Sequence, residues 1–247
     1  MADDKSLPWA TGPGEILQHG LTLLHQDTET SRRLAMLSID NAVELSMRTY
    51  LGLPRRISGL AITRKEYQEI SESFPDLLDA LEKHAPQSVL EGIDLGEIEW
   101  FHRLRNELYH QGNGLTVEKY KVEVYSELAR LLYNRLFGQE LELKSDKHTE
   151  ALGKFLTSWF EVDSVIASIR EELRMNQDST RTSLATLHYL YHQKRIGDDL
   201  MARYTKLNSI RNELVHGKRM EVDVKVFTQL DRIIDDFKEL LVTFQNK

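Results

Sequence analysis

The sequence predicts an all-α protein of two similar helical bundles, because its apolar residues recur at intervals of three and four along most of the chain. Alternation of apolar and polar residues, which would indicate strands, is nearly absent, and only 5 prolines interrupt the 247 residues. Hydrophobic residues make up 40% of the chain and charged residues 29%. This composition is ordinary for a folded protein, so we expect little disorder.

The first half of the chain begins with a leader and then carries start and stop signals for helices. The leader at 1–14 holds two prolines and two glycines and is expected to be irregular. Thr63 and Glu66 form a capping box at the start of the second helical segment, which runs to Pro86. The other segments end at a glycine or at the breaker QGNG. The predicted segments are 31–51, 63–85, 94–110 and 116–136.

The second half repeats this plan more compactly. Its helical segments are predicted at 148–176, 180–193, 198–216 and 221–245, and Gly217 stands where a C-terminal cap is expected. A polar stretch at 139–147 is the expected linker between the two halves of the chain. Because isolated helices of this length are marginal in water, each half should fold as a bundle. The predicted domains are therefore 15–138 and 148–247.

Composition and charge exclude several kinds of site and location. The chain has no cysteine, which excludes disulfides, thiolate zinc sites, iron–sulfur clusters and cysteine nucleophiles. No apolar run approaches the ~20 residues that span a bilayer. The first residues, MADDKSLPWA, lack a signal pattern, so we expect a cytoplasmic protein without a membrane partner. The net charge of −7 argues against non-specific binding to long duplexes, although a local basic cleft stays compatible with it.

A repeated hexapeptide is the strongest signal in the sequence. Residues 105–110 read RNELYH and residues 211–216 read RNELVH, identical at five of six positions. Further along, VYSELARLL at 124–132 corresponds to VFTQLDRII at 226–234, with eight of nine positions identical or similar. The two offsets differ by four residues. An internal duplication of a helix–loop–helix, with one loop insertion, explains both matches.

The repeated motif places three polar side chains within a 140° arc at the C-terminal end of a helix. If the two halves pack about a pseudo-two-fold axis, the arcs meet and present two arginines, two asparagines and two histidines. Histidine suits general acid–base catalysis near neutrality, and the arginine fork fits phosphate oxygens. We therefore expect phosphodiester chemistry that needs no metal or other cofactor. The residues concerned are Arg105, Asn106, His110, Arg211, Asn212 and His216.

On these residues the chain resembles the HEPN family of all-α proteins, many of which are ribonucleases and toxins. The family motif is an arginine, four to six residues, and a histidine, often with a polar residue directly after the arginine. Both RNELYH and RNELVH fit it. The resemblance implies a tandem, pseudo-dimeric member with one composite site. Some toxin members carry a tyrosine two residues after the histidine; Gly112 and Lys218 stand there in this chain.

The resemblance implies a metal-independent endoribonuclease that leaves a 2′,3′-cyclic phosphate, acting as a toxin or phage-defence effector. Arg105, His110, Arg211 and His216 would be catalytic, and Asn106 and Asn212 would bind the substrate. RNA, with tRNA among the candidates, is the expected partner, together with an antitoxin or regulatory protein. The alternative is a non-catalytic helical scaffold that binds RNA, a nucleotide or a partner protein. The acidic first half suits a protein partner better than a long nucleic acid.

Several other residues are candidates for supporting roles. His102, Arg103, Lys218 and Arg219 adjoin the motifs and could extend a phosphate path. Asp40 and Glu44 are one turn apart on an early helix and could give the motif a supporting polar contact. His188 and His192 are four residues apart, but without a third ligand a metal site is disfavoured. Tyr189 and Tyr191 are expected to pack, with stacking on bases as the alternative. The three tryptophans are interpreted as packing anchors.

Overall fold

A computed structural model describes residues 7–110, 116–141, 147–175, 182–216, 218–219 and 221–245. In these residues the chain forms twelve α-helices and no β-strand, which confirms the all-α prediction. The chain divides into two compact units, Met1–Thr149 and Glu150–Lys247. The division falls two residues beyond the predicted linker. Within the described residues, no helix combines the length and the apolar character needed to cross a membrane.

The first unit is built around one long helix, α2, against which its neighbours pack. Helices α1 and α8 lie along α2, and α5 and α7 pack against it as well. Apolar side chains of α2, including Met36 and Ile39, are fully buried at the centre of this unit. The helices are α1 (Pro8–Leu24), α2 (Glu29–Gly52), α3 (Arg55–Ser58), α4 (Arg64–Ile70), α5 (Phe74–His84), α6 (Gln87–Leu90), α7 (Leu95–His110) and α8 (Lys119–Phe137).

The predicted irregular leader at 1–14 is wrong for residues 8–14, which form the start of α1; residues 1–6 lie outside the described residues. Pro8 is the first helical residue, where its missing N–H costs nothing. Pro13 lies inside the helix, and Gly12 before it has no Cβ to clash with the proline ring. Gly14 lies under Tyr133, whose hydroxyl would be 3.1 Å from an added Cβ. Pro13 and Gly14 are buried within the unit, and none of these prolines and glycines breaks the helix.

The segment predicted to run from 63 to Pro86 is two helices, α4 and α5. Thr63 accepts a hydrogen bond from the Glu66 backbone N–H at 3.2 Å, as the capping box requires. A second cap interrupts the segment, because the Ser73 side chain accepts from the backbone N–H of Asp76. Pro75 follows in the first turn of α5, where proline is tolerated. The N-terminal cap at Ser73 therefore begins a new helix, although the apolar periodicity continues through both helices.

The second unit consists of four helices close to the predicted segments. They are α9 (Lys147–Glu172), α10 (Ser183–His192), α11 (Asp198–Val215) and α12 (Val224–Gln245). Trp159 of α9 is buried beside Tyr204 of α11, with ring centroids 5.5 Å apart, and so serves as a packing anchor as predicted. The first unit has eight helices against these four, so only part of the two units corresponds helix for helix.

The duplicated helix pair is α7–α8 in the first unit and α11–α12 in the second. Four apolar positions of the repeated nonapeptide are buried in both copies: Val124/Val226, Leu128/Leu230, Leu131/Ile233 and Leu132/Ile234. The position that differs in kind is buried as Ala129 in the first copy and exposed as Asp231 in the second. The same helix face therefore supplies the core in each unit, and the one polar substitution lies where water reaches it.

Removing the N-terminal cap of α2 is expected to destabilise the first unit. Thr28 Oγ1 accepts from the Ser31 backbone N–H at 3.0 Å, and Ser31 Oγ accepts from the Thr28 backbone N–H at 2.9 Å. Thr28→Ala should lower the free energy of unfolding by ~1 kcal/mol in urea denaturation. Thr28→Ser keeps the accepting oxygen, so its free energy of unfolding should stay within about a few tenths of a kcal/mol of the wild-type value. Equal losses in both variants would contradict the cap's contribution.

Candidate functional site

A buried carboxylate lies at the centre of the site in the first unit. Asp40, in the middle of α2, is 0% exposed. Tyr125 of α8 donates to its Oδ1 at 2.7 Å, and His102 Nδ1 of α7 is 3.1 Å from both of its oxygens. Arg105 Nε is 3.1 Å from its Oδ2. A buried charge is tolerated only when it is paired and hydrogen-bonded, so these contacts fix Asp40 and its partners together.

The motif residues close a ring of contacts with this carboxylate. Arg105 Nη1 donates to Asn106 Oδ1 at 2.9 Å, and Asn106 Nδ2 is 3.0 Å from His102 Nε2. An amide N–H pointing at Nε2 fits the tautomer whose proton is on Nδ1 and faces Asp40. The ring therefore runs from Asp40 through His102, Asn106 and Arg105 back to Asp40. We call these four residues and Tyr125 the Asp40 cluster.

The Asp40 cluster also fixes the direction of the arginine. Arg105 Nη2 donates to Asn41 Oδ1 at 3.1 Å, so all three nitrogens of its guanidinium have a protein contact. The side chain remains half-buried, with one edge reaching the surface. A planar cation held from three sides has little freedom to reorient, which is the property that preorganised electrostatic stabilisation requires.

His102 lies inside the cluster, and this corrects its expected place on a phosphate path. Its ring stacks on Phe74 with centroids 3.7 Å apart, its two nitrogens contact Asp40 and Asn106, and its side chain is 12% exposed. These contacts make it a positioning residue for Arg105. Arg103 is exposed, as a phosphate contact would be, and forms an ion pair with Glu99 on the same helix.

Tyr125 remains a hydrogen-bond donor over the physiological pH range. Burial raises the pKa of its phenol well above the ordinary value, and the negative charge of Asp40 raises this pKa further. The Tyr125 ring also stacks on Phe101, with centroids 4.7 Å apart. The phenol therefore contributes a fixed O–H dipole to the carboxylate.

The second motif lies at the end of α11. Arg211 is buried, and its Nη1 is 3.4 Å from Asn212 Oδ1. Asn212 and His216 are exposed, and His216 is the C-cap residue of α11, with its backbone N–H 3.0 Å from the Asn212 carbonyl. Leu214 between them is fully buried. The motif therefore holds its arginine inside the unit and presents its histidine to solvent.

Asp163 of α9 is a functional candidate that the sequence analysis missed. Burial is the largest cause that raises the pKa of the Tyr204 phenol. The charge of Asp163 raises this pKa further and the charge of Arg211 lowers it. Asp163 and Arg211 thus lie near the same phenol. A signal was present: IDNAV at 39–43 and VDSVI at 162–166 both place an aspartate between buried β-branched residues of a long helix.

The remaining predicted site residues lie at the edges of the motifs. α7 ends at His110, whose side chain lies outside the described residues, as does Gly112. Lys218 is exposed, and Arg219 Nε donates to the Glu221 carbonyl at 3.0 Å. That the two motifs share one seam stays a prediction.

His188 and His192 are both exposed. Among the described residues, no group of three or more histidine, aspartate or glutamate side chains is arranged to hold a metal ion.

Comparison of the chain with protein-family models, with curated proteins and with solved structures gives no match in any of the three.

Proposed function

We propose that this protein is a metal-independent endoribonuclease of the HEPN type. The observation that carries the proposal is the ring that joins Arg105 and Asn106 to the buried Asp40. It holds a guanidinium in one orientation beside the end of the helix that bears His110. The second motif repeats the same letters on an equivalent helix, and its arginine lies near Tyr204, as does Asp163. Two copies of one arginine–histidine arrangement supply the acid, the base and the cations that RNA cleavage needs.

The reaction uses the substrate's own hydroxyl as nucleophile. One motif histidine removes the proton of a ribose 2′-hydroxyl while the 2′-oxygen forms a bond to the adjacent phosphorus. The bond from phosphorus to the 5′-oxygen breaks, and the other histidine protonates that oxygen. The products are a 2′,3′-cyclic phosphate and a 5′-hydroxyl. His110 and His216 carry these two roles, and each arginine stabilises the charge on the non-bridging phosphate oxygens.

The cellular role that we propose is that of a toxin or phage-defence effector acting on RNA in the cytoplasm. It rests on the resemblance of the two RNELxH motifs to those of HEPN proteins. Such an effector harms its own cell unless it is restrained, so an antitoxin or regulatory protein belongs to the proposal. Expression of the wild-type chain should therefore arrest growth, and expression of the His110→Ala/His216→Ala variant should not.

The chemistry of the cut ends tests the nuclease proposal directly. Total RNA is incubated with the wild type or with His110→Ala/His216→Ala, with and without EDTA, and the new ends are mapped. We expect 2′,3′-cyclic phosphate and 5′-hydroxyl ends from the wild type, unchanged by EDTA, and intact RNA from the variant. Ends with a 3′-hydroxyl and 5′-phosphate, or loss of cleavage in EDTA, would contradict the proposal because metal-activated water gives those products.

The second candidate function is a non-catalytic scaffold that binds RNA, a nucleotide or a partner protein. It is favoured by the engagement of both arginines within their own units: Arg211 is buried, and Arg105 forms an ion pair with Asp40. Such contacts also suit a purely structural arginine. A scaffold predicts intact RNA and normal growth under the conditions above, together with binding that survives the double histidine substitution.

A further inference from the structure

The C-terminal end of α10 and the following loop form an open depression in the second unit. Its volume is ≈550 Å³, and its lining includes Tyr191, His192, Lys194 and Arg195. This volume lies within the range of roughly 300–1,000 Å³ that is typical of small-ligand sites. We call these four residues the α10 pocket. None of them belongs to the repeated motifs.

The α10 pocket has an aromatic wall whose orientation is fixed. The Tyr191 side chain is 38% exposed, so its ring is accessible for stacking on a base, the alternative that the sequence left open. Its hydroxyl donates to Asp198 Oδ1 at 2.6 Å, which anchors the outer end of the ring. The His192 ring lies edge-on to it, with centroids 6.0 Å apart. Because the hydrogen bond at its hydroxyl restricts this exposed ring, a ligand that stacks on the ring costs less rotational freedom on binding.

The pocket lining also carries two cations, Lys194 and Arg195, and one carboxylate, Asp198, so its formal net charge is positive. Lys194 and Arg195 are exposed, and within the described part of the chain neither forms an ion pair. Asp198, which also lines the pocket, accepts a hydrogen bond from the Tyr191 phenol, and Asp199 forms an ion pair with Arg203 at 2.8 Å. Arg195 lies over the Phe244 ring at 5.8 Å, which limits where its guanidinium can go. Two cations beside an aromatic face suit a ligand with both phosphates and a planar group.

We infer that the α10 pocket binds an unpaired nucleotide of single-stranded RNA, with the base stacked on Tyr191 and the adjoining phosphates against Lys194 and Arg195. Aromatic stacking accepts any base but requires that the base be unpaired, whereas a duplex hides its base faces. The acidic total charge of the protein leaves little general attraction for duplexes. The inference rests on the proposed function for the identity of the ligand as RNA, and it deepens that function by naming unpaired RNA as the substrate class.

Binding is measured separately from cleavage, in the His110→Ala/His216→Ala background. The probes are a fluorescent 12-nucleotide single-stranded RNA, the same sequence as a duplex, and AMP. Tyr191→Leu should weaken single-strand binding by ~5-fold or more without changing its salt dependence, because one stacked base is lost. Lys194→Gln/Arg195→Gln should weaken binding and reduce the slope of log K against log salt by about 1.4, since two phosphate contacts are lost.

Matched controls separate the pocket from the general surface. Tyr189 is another exposed tyrosine of α10, outside the pocket lining, and Tyr189→Leu should leave the affinity unchanged. Lys206→Gln/Lys225→Gln removes the same charge from exposed positions of α11 and α12. Equal losses from the pocket and control variants would overturn the inference, as would equal affinity for duplex and single strand, or AMP binding as tight as the oligonucleotide.

Cleavage of a dinucleotide distinguishes failure of the inference from failure of the nuclease proposal. A dinucleotide is too short to need a remote pocket, so the pocket variants should cleave it at the wild-type rate while they cleave the 12-nucleotide RNA more slowly. RNA binding that responds to Tyr191→Leu without any cleavage would support the pocket and contradict the nuclease. If RNA is cleaved but none of the pocket substitutions changes the RNA affinity, the result would support the nuclease proposal and overturn the pocket inference.

Discussion

Replacing either His110 or His216 by alanine is expected to lower the rate of RNA cleavage at least ~100-fold, because each motif histidine transfers a proton in the proposed mechanism. The fold should survive. The His216 side chain is exposed at the C-cap of α11, so its loss should cost at most about 0.5–1 kcal/mol of stability. Single-turnover cleavage of a labelled oligonucleotide and a thermal melt followed by circular dichroism measure the two quantities.

The double variant sharpens this prediction. If both histidines act in one step, removing the second should cost little more than removing the first, because residues that work as a unit are not additive. His188→Ala removes another exposed histidine of the second unit and should leave the rate unchanged. A double variant that cleaves at the wild-type rate would dismiss the catalytic assignment of both residues.

Replacing Asp40 by alanine is expected to lower the free energy of unfolding of the first unit by about 3–5 kcal/mol. Three polar groups from α7 and α8 converge on this buried carboxylate, and its removal leaves the charge of Arg105 without its closest counter-charge. Urea denaturation measures the loss. Cleavage should fall as well, because Arg105 loses the ion pair that fixes its direction.

Tyr125→Phe serves as the matched control for this loss. It removes one hydrogen bond to the same carboxylate while keeping the stacked ring on Phe101, so it should cost only about 1–1.5 kcal/mol. An Asp40→Ala variant as stable as Tyr125→Phe would show that the carboxylate does not hold the cluster together. Asp40→Ala with unchanged cleavage would show that Arg105 needs no positioning by it.

The sequence predicted local structure well where periodicity and breakers agree. The helices that carry the motifs begin and end within three residues of the predicted segments, since apolar spacing and caps are properties of neighbouring residues. It failed at Pro8 and Pro13, because a proline's effect depends on its position in the helix and on what packs against it. A breaker signal therefore needs tertiary context before it can end a helix.

The candidate site was predictable only in part. The repeat identified Arg105 and Arg211, but the ring needs contacts between residues 62 positions apart, such as Asp40 and His102, which depend on how α2 packs on α7. His102 was misplaced for this reason. The exposure of Tyr191 also depends on what covers α10, which periodicity does not report.

Because both motifs belong to one chain, each copy can change independently during evolution. A homodimer must accept every substitution in both copies, whereas a tandem protein can alter each copy alone. At the repeat positions of His102 and Tyr125, the second unit carries Asn208 and Phe227, so the Asp40 cluster has no identical twin. The first arginine sits in a closed polar ring and the second in a drier setting. The two copies of the motif therefore surround their arginines differently, which leaves the two halves free to diverge.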